Sequence, residues 1–395
     1  MSGPLSHLRV LDLSRIMAGP WSGQILADLG ADVIKIERLG EGDDTRKWGP
    51  PFLKDAEGKD TAEAGYYLSV NRGKRSVELD LKTEKGRNVV RALAAQSDIL
   101  LENFKTGTLD SMGLGYEELH KVNPRLIYCS ITGFGLTGPK AQDAAYDFMI
   151  QGMGGLMSVT GGGDDTDGGG PQKVGVPIID IMAGMYATVG VLAALSNRVE
   201  TGRGDHIDLA MLDVSVAMLA NQAMNYIVSG KTPVRRGNRH PNIQPQNVYP
   251  VADGRIVLAV GNDSQFRKLA TVVGQPDLAD DPRYSTNAAR VENLDLLEKR
   301  LIEALAPRTI ADWVTAFAKA GVPSGPINTI DRVFVEPQVI HRNMVRDIPH
   351  PLSGSVRQVV SPLNFCNAPM SFDKPPPLKG QHTQEVLAAL GLEGA

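Results

Sequence analysis

The sequence predicts an α/β fold, with a parallel sheet in a large first part and a smaller α+β part after it. Three observations support this fold class. The first 140 residues alternate short apolar strand patterns with helix patterns, which is typical of parallel βαβ units. A length of 395 residues with 42% apolar and 22% charged residues suits a globular protein of two or three domains. Composition shifts near Gly230 to a basic, turn-rich segment, which marks a domain boundary.

The elements of the first part follow one another in a regular order. Strand patterns alternate with helix patterns at 9–13, 21–31, 33–39, 75–81, 83–97, 98–104, 109–122 and 125–135. A further strand pattern at 206–211 precedes a long helix pattern at 214–228. This part is therefore Rossmann-like, although no GxGxxG follows its first strand, so a dinucleotide site of the usual kind is not expected.

Four segments describe the expected domain organisation. Residues 1–200 form the first part of the large Rossmann-like domain, and 201–225 form a linker helix. Residues 226–325 combine a strand pair around Asp253-Gly254 with three helix patterns, which predicts the small α+β domain. Residues 326–395 return to complete the large domain.

Composition excludes several classes of protein. The net charge of −4 argues against a general nucleic-acid-binding protein. Two cysteines without a CxxC, and seven histidines without an HExxH, give no metal site. GxSxG and P-loop motifs are also missing. No secretory signal is visible, so a cytoplasmic location is expected. The apolar stretch 176–195 could span a bilayer but contains Asp180, which favours a buried helix of a soluble protein.

Asp180 is the most informative candidate for chemistry. Pro177 suits the first turn of a helix, and Asp180 falls inside that turn. One interpretation is structural, because acidic residues commonly stabilise helix N-termini. The other is functional, because a desolvated carboxylate held by helix N–H groups can act as a covalent nucleophile.

Polar or basic residues lie at the ends of three of the expected strands. Arg38 ends one, the basic run Asn71 to Arg75 precedes another, and Asn103 to Lys105 follow a third. Strand carboxyl ends face the ligand crevice of open α/β sheets, so these groups could hold phosphates, although each could also be a solvated surface residue.

Three further segments have two interpretations each. Tyr146-Asp147 precedes a helix pattern and is either core packing with a helix cap or part of a site. The segment Arg235 to Asn242 could hold a substrate carboxylate or act as a solvated hinge. The loop Gly161 to Gly170 is either a flexible surface loop or a mobile lid.

Together these motifs resemble the class III CoA-transferases, the CaiB/BaiF family that includes formyl-CoA transferase and carnitine CoA-transferase. The resemblance covers nearly the whole chain. It rests on VLDLSRIMAGPWSGQILADLGADVIKIERLGEGDDTR, VNRGKRSVELDLKTEKG, ENFKTGTLDSMGLGYE, NPRLIYCSITGFGLTGP, AYDFMIQGMGG, IIDIMAGMYATVGVLAAL, TGRGDHIDLAMLD and GNRHPNI.

The resemblance implies a complete set of roles. Asp180 is the nucleophile that carries CoA between acyl groups, and Tyr146 and Asp147 lie beside the reacting thioester. The implied coenzyme A contacts are Met17, Ala18, Arg38, Leu79, Asp80, Leu81, Lys82, Asn103, Phe104 and Lys105. CoA is a substrate, with no tightly bound cofactor and no metal. The resemblance also implies an interlocked, ring-like homodimer, with neither nucleic acid nor membrane as a partner.

Departures from the formyl-CoA transferases bear on the substrate. This chain has Met17, Ser111 and Ala144 where those enzymes carry Gln, Arg and Lys, and it has an RHPN segment in place of a glycine-rich loop. Formate and oxalate are therefore not expected as substrates. The RHPN form is similar to relatives that act on succinyl-CoA and larger dicarboxylates, which makes Arg239, His240 and Asn242 substrate candidates.

Two other functions remain open from the sequence. An α-methylacyl-CoA racemase shares the fold but needs a His base where this chain has Tyr146, and a neutral phenol is a poor base at neutral pH. A non-catalytic acyl-CoA-binding protein would need no acidic helix start inside an apolar segment.

Overall fold

The computed structural model describes residues 3–392, and the chain forms two compact units. The large unit contains the chain up to Leu156, then Val174–Ala223, and then the chain from Pro337 onwards. The small unit contains Met157–Lys173 and Met224–Glu336. The first two and last three residues of the expected large domain lie outside the described residues.

The loop Gly161 to Gly170 belongs to the small unit, whereas the sequence predicts it within the 1–200 part of the large domain. Its backbone is hydrogen-bonded to the segment that precedes the RHPN motif. Gly237 N–H donates to Gly161 O at 3.0 Å, and Arg235 Nε donates to Gly162 O at 3.3 Å. These long-range bonds are invisible in local sequence, which explains the different boundary.

Among the described residues, the strands form four sheets. In chain order they are β1 Arg9–Asp12, β2 Asp32–Arg38, β3 Phe52–Lys54, β4 Asp60–Ala64, β5 Arg75–Leu79, β6 Ile99–Glu102, β7 Ile127–Thr132, β8 His206–Ala210, β9 Gln246–Val251, β10 Gly254–Ala259, β11 Ser324–Pro326, β12 Val345–His350 and β13 Gly354–Val359.

Helices connect these strands. In chain order they are α1 Ala18–Asp28, α2 Gly65–Leu68, α3 Glu84–Ala94, α4 Thr108–Ser111, α5 Tyr116–Val122, α6 Asp147–Met153, α7 Leu156–Val159, α8 Ile178–Thr201, α9 Met211–Met218, α10 Ala220–Ser229, α11 Asp263–Val272, α12 Asn287–Glu292, α13 Leu294–Leu305, α14 Ile310–Ala320, α15 Ile330–Phe334, α16 Pro337–His341 and α17 Thr383–Ala389, with short 3₁₀ turns at Asp44–Lys47 and Pro276–Ala279.

The large unit is built on a six-stranded parallel sheet in the order β5-β2-β1-β6-β7-β8. The chain first winds outward from β1 to one edge and then from β6 to the other, which is the Rossmann strand order. The order reverses between β1 and β6, so the ligand crevice is expected at the carboxyl ends of these two strands.

Two apolar layers cover the sheet. On one face, residues of α1 and α8 such as Leu26, Ala183 and Val191 pack on β1, β6 and β7. On the other face, α3, α5 and α17 contribute Val89, Leu119 and Val386 among others. The last helix pattern of the sequence thus completes the large unit.

The small unit has its own core. Its antiparallel sheet β11-β10-β9 packs against helices α11, α13 and α14 through residues such as Ile256, Phe266, Leu301 and Trp313. The α14 helix begins with a capping box between Thr309 and Asp312, which satisfies its first free N–H groups.

Two helix patterns of the sequence are each interrupted in the structure. The expected helix at 109–122 divides into α4 and α5 around Gly113, whose φ of 66° is left-handed. The expected long helix at 214–228 divides into α9 and α10 at Ala220, whose φ is 43°. Apolar periodicity continues across both breaks, so periodicity alone does not reveal them.

The apolar stretch forms the 24-residue helix α8. Among the described residues it is the one helix long and apolar enough to cross a bilayer, a test that the core helix of a soluble protein also passes. Ile179, Ala183, Ala187 and Val191 are fully buried along one side. The opposite side is exposed in the single chain, so the helix is buried on one face rather than all round.

Candidate active site

The connections that follow β1 and β6 meet where the strand order reverses. Arg15 N–H donates to the Asn103 side-chain oxygen at 2.9 Å, and the Asn103 amide donates back to Arg15 O at 2.7 Å. This reciprocal pair joins the segment leading into α1 to the Asn103–Lys105 segment. The two loops therefore form one wall of the crevice.

Asp180 lies in the first turn of α8, as the sequence predicts. The cap of this helix comes from a distant residue, Asp147, at the start of α6. Its Oδ1 accepts the N–H of Ile179 at 2.7 Å and the N–H of Asp180 at 3.3 Å. Its Oδ2 accepts from Nε2 of the fully buried Gln151 at 2.6 Å, and Gln151 Oε1 accepts Val174 N–H at 2.9 Å. Asp147 thus satisfies two of the free N–H groups in the first turn of α8.

The electrostatics of Asp180 differ from those of an exposed carboxylate. Burial raises its pKa, and the nearby charge of Asp147 raises it further, to about 7. The group is half-buried and partly ionised near neutral pH. A carboxylate with few solvating partners is a stronger nucleophile than a hydrated one.

Asp180 opens into a cavity of about 180 Å³. Met17, Ala18, Asn103, Phe104, Lys105 and Tyr146 line the same cavity, so the structure brings together these residues of the expected site. Asp147 does not line it, because its carboxylate is turned to the helix N–H groups.

Close helix packing brings the start of α1 to Asp180. Gly184 lies one turn after Asp180, and a Cβ built on it would lie 2.6 Å from Ala18 O. Glycine at this position therefore permits the N-terminus of α1 to lie against α8. The first N–H groups of α1, at Ala18 and Gly19, have no intrahelical acceptor, and Met17 provides no side-chain cap.

A second cavity of about 380 Å³ adjoins the first along the sheet edge. Its lining includes Arg38, Leu79, Asp80, Leu81 and Lys82, the remaining expected coenzyme contacts. Arg15 and Phe104 line both cavities. The two cavities therefore form adjoining compartments at the carboxyl ends of β2, β5 and β6.

The three substrate candidates lie in the small unit. Arg239 pairs with Glu298 and with Asp295, so its charge is partly neutralised there. His240 Nδ1 accepts the N–H groups of Asn242 and Ile243, each at 3.1 Å. A neutral ring with Nδ1 as acceptor carries its proton on Nε2, which remains a donor.

The structure also identifies residues that the sequence analysis did not single out. Tyr66 is affected by burial and by the charges of Asp180 and Asp147, which raise its pKa to about 12 and keep the phenol protonated as a donor. Glu102 Oε2 accepts Phe104 N–H at 2.8 Å and supports the turn after β6. Burial raises the pKa of Glu102 to about 7. The sequence could have pointed to Glu102, because this residue lies at the end of an expected strand, whereas nothing in the sequence singles out Tyr66.

In residues 3–392, no three His, Cys, Asp or Glu side chains are grouped so that they could hold a metal ion. A partly desolvated aspartate and two adjoining cavities lie at the carboxyl ends of a Rossmann-type sheet, which makes this part of the large unit the candidate active site of an enzyme.

Comparison with known proteins identifies the family. The model for CoA-transferase family III matches residues 5–383, and the chain belongs to that family and is a CoA-transferase. It is 48% identical over 387 residues to a succinate–glutarate CoA-transferase of Agrobacterium fabrum, which covers 98% of this chain and 96% of that one. It is 42% identical over 344 residues to an acetyl-CoA:oxalate CoA-transferase of Acetobacter aceti, covering 87% and 85%.

A solved structure shares the architecture. A CaiB/BaiF family protein from Brucella suis superposes with a TM-score of 0.86 at 49% identity, over 99% of this chain and 100% of that one. The mixed α/β fold with a parallel central sheet is therefore confirmed.

Proposed function

We propose that Asp180 is the nucleophile of this class III CoA-transferase and that it carries CoA as an aspartyl thioester. The observation that supports this role best is the partly desolvated carboxylate at the start of α8, open to the cavity that Ala18 and Asn103 line. Asp147 binds the helix N–H groups, which leaves the Asp180 carboxylate available to substrate.

The first half-reaction loads the enzyme. An Asp180 oxygen attacks the thioester carbonyl of the donor, the carbon–sulfur bond breaks, and CoA departs as thiolate, so that a mixed anhydride of Asp180 and the donor acid remains. The thiolate then attacks the aspartyl carbonyl of the anhydride. This forms aspartyl-CoA and releases the donor acid as a carboxylate, with no proton gained or lost.

The second half-reaction is the same chemistry in reverse. A carboxylate of the acceptor attacks aspartyl-CoA and expels the thiolate, which then attacks the acceptor's acyl carbon. The products are a new thioester and free Asp180. Each intermediate is an activated acyl group, so no ATP is required.

Backbone N–H groups are suited to the negative charge that develops in these steps. The N–H of Ala18 lies at the start of α1, and the dipole of a helix N-terminus favours an anion. Donors placed in advance at a developing oxyanion commonly account for a large share of catalysis in acyl transfer. We assign the oxyanion site to this helix end.

Coenzyme A is proposed to occupy the two adjoining cavities. Its thioester end would lie in the cavity of Asp180, Met17 and Tyr146, and its phosphates near Arg38 and Lys82 in the larger cavity. The positive charges of Arg38 and Lys82 support this orientation of CoA, because phosphates are anionic.

A dicarboxylic acid of four or five carbons is the proposed acceptor, with succinyl-CoA as donor. The name of the Agrobacterium relative supports this choice, and the Acetobacter relative makes oxalate the acid to compare. His240 Nε2 and the Asn242 amide are donors suited to a second carboxylate.

A homodimer is proposed as the working assembly. Met185, Tyr186, Val189 and Leu192 lie on α8 and expose between 37% and 58% of their surfaces in the single chain. Apolar patches of this kind indicate an interface, and the sequence resemblance implies an interlocked pair. Light scattering should give twice the mass of one chain, and a monomer at assay concentration would contradict the proposal.

Covalent labelling tests the nucleophile. The protein is mixed with succinyl-CoA without acceptor, quenched, and examined by intact mass and peptide mapping. We expect a CoA adduct on the peptide that contains Asp180, and none in Asp180→Ala, which should still bind CoA in a displacement assay. Turnover without an adduct, or an adduct elsewhere, would overturn the assignment.

A panel of acids tests the substrate class. With succinyl-CoA as donor, kcat/KM for glutarate should exceed those for oxalate and formate by about 100-fold, since a site that hydrogen-bonds a second carboxylate rejects acids that do not reach it. Faster transfer to oxalate would replace the proposed acceptor but leave the nucleophile in place. Deuterium exchange at the α-carbon without transfer would instead indicate racemase chemistry.

A further inference from the structure

Ile16 has an unusual backbone conformation beside the active site. Its φ is 72°, in the left-handed region that β-branched residues rarely adopt. Ile16 lies between β1 and α1 and directly precedes Met17 and Ala18, which line the cavity of Asp180. Strained backbone of this kind persists only where surrounding groups hold it, and it is often found at functional sites.

A buried ion pair holds this backbone. Both carboxylate oxygens of Asp43 accept the Ile16 N–H, at 3.3 and 3.4 Å. Lys35 Nζ lies 2.8 Å from Asp43 Oδ2 and donates to Ser14 O at 2.7 Å. Ser14 and Ile16 are thus held by the two partners of one pair, on either side of Arg15.

The pair is almost completely excluded from solvent. Asp43 exposes 3% of its surface and Lys35 none. Burial alone would raise the pKa of Asp43. The positive charge of Lys35 and the hydrogen bonds from Lys35 and Thr45 instead lower it to about 2. A buried pair is weak evidence of net stability, so another role is the better reason for its presence.

The surroundings show that Asp43 acts through its neighbours. Its Oδ1 also accepts Thr45 N–H at 3.0 Å and the Thr45 hydroxyl at 2.7 Å. Both oxygens are therefore engaged by the protein, although Asp43 forms part of the wall of the larger cavity.

We propose that Lys35 and Asp43 are positioning residues for CoA transfer: they hold Ile16 in its left-handed conformation and so direct the first N–H groups of α1 toward Asp180. This role rests on the proposed function of Asp180. If the pair is lost, Ile16 relaxes toward ordinary φ values, and the peptide that leads into Ala18 rotates away from the cavity.

A double-mutant cycle tests the role. Asp43→Asn removes the negative charge that pairs with Lys35, and its one remaining oxygen cannot accept from Thr45, Lys35 and Ile16 together. We expect the single-turnover rate of aspartyl-CoA formation to fall about 100-fold, with the KM of succinyl-CoA nearly unchanged, as for a small misplacement of catalytic groups. Glycine adopts a left-handed conformation without strain. In Ile16→Gly, the same Asp43→Asn change should therefore slow the reaction by less than about 5-fold.

Controls separate positioning from folding. Asp98 pairs with Arg198 at the amino ends of the strands, away from the cavities, so Asp98→Asn should lower Tm without changing the single-turnover rate. The rate constant of adduct formation reports only folded molecules, so a partly folded preparation of Asp43→Asn remains informative. Lys35→Met, which removes the other partner, should show the same loss and the same rescue by Ile16→Gly.

Two results would overturn the proposal. One is a wild-type rate of adduct formation in both Asp43→Asn and Lys35→Met. The other is an equal loss whether Asp43→Asn is made in the wild type or in the Ile16→Gly variant. If the wild-type protein itself forms no adduct on Asp180, the proposed function fails instead, and the two failures are distinguishable.

Discussion

The backbone N–H of Asp180 donates to Asp147 Oδ1 at 3.3 Å, so the residue that caps α8 is also the one whose negative charge raises the pKa of the proposed nucleophile. The cap leaves the Asp180 carboxylate unbound by its own helix, while the charge raises its pKa. One carboxylate thus influences both the geometry and the ionisation of the other.

Replacing Asp147 with Asn should shift the pH dependence of the reaction. The nucleophile must be ionised, so the rate rises as pH passes through the Asp180 pKa of about 7. Asn keeps an oxygen that can accept the α8 N–H groups but removes the charge, so the midpoint of kcat/KM should move to lower pH. The shift should be about one unit or less, since burial is the larger cause of the raised pKa. An unchanged midpoint would contradict the electrostatic role of Asp147.

Replacing Asp180 with Asn should stabilise the protein in a pH-dependent way. The pKa of Asp180 is about 7 in the folded protein against an ordinary value of 3.8, so the folded chain binds the proton more tightly than the unfolded chain. The free energy of unfolding of the wild type therefore falls as pH rises from about 4 to 7 and is level above that.

Thermal melts at a series of pH values measure this effect. The Tm of Asp180→Asn should match that of the wild type near pH 4 and exceed it by a few degrees at pH 8, because the amide does not ionise. A Tm difference that is independent of pH would indicate a packing effect instead. If Asp180→Asn also loses CoA transfer, then the Asp180 carboxylate lowers stability near neutral pH and is required for activity.

Much of the fold follows from local sequence patterns. All six strands of the parallel sheet were predicted, because buried strands are short apolar runs between helix patterns. The first-turn position of Asp180 was also predicted, since Pro177 and the apolar helix identify where α8 begins. The role of Asp180 stays a prediction until the adduct is sought.

The remaining features depend on contacts between distant residues. Asp147 caps a helix whose first turn lies more than thirty residues later, and a cap is recognisable in sequence only when it immediately precedes its helix. The left-handed φ of Ile16 contradicts the preference of its own side chain, because Lys35 and Asp43 impose it from another strand and loop. Gly184 is one of two glycines in the apolar helix α8, and the local sequence does not show that α1 packs against it.

Replacing Arg38 with Ala should weaken binding of the donor. Arg38 ends β2 at the larger cavity, where we place the phosphates of CoA. Loss of one charged hydrogen-bonding group should raise the KM of succinyl-CoA about 10-fold and leave kcat within about 2-fold. The difference from the wild type should shrink at high salt, since the attraction is partly exposed to solvent.

A matched cation provides the control for Arg38. Arg125 precedes β7 at the amino ends of the strands, where its guanidinium donates to Gly202 O at 3.2 Å. Arg125→Ala removes the same charge from the chain but should leave the KM of succinyl-CoA unchanged. Equal effects of the two substitutions would show that net charge, rather than a phosphate site at Arg38, governs donor binding.

Replacing Gly184 with Ala should separate α1 from α8 at the active site. The added Cβ would lie 2.6 Å from Ala18 O and 2.9 Å from the Trp21 ring, closer than real contacts allow, so the start of α1 must move. We expect aspartyl-CoA formation to slow by about 100-fold and stability to fall by about 1–3 kcal/mol.

Gly190 offers the matched control on the same helix. A Cβ there meets only Ile207 side-chain atoms at 3.5 Å, an ordinary contact. Gly190→Ala should keep the wild-type rate and gain up to about 1 kcal/mol, because alanine favours the helix. Single-turnover adduct formation and thermal melts of both variants measure the contrast. If Gly184→Ala is destabilised yet forms the adduct at the wild-type rate, the start of α1 does not contribute to the reaction, and the oxyanion site must be sought elsewhere in the cavity.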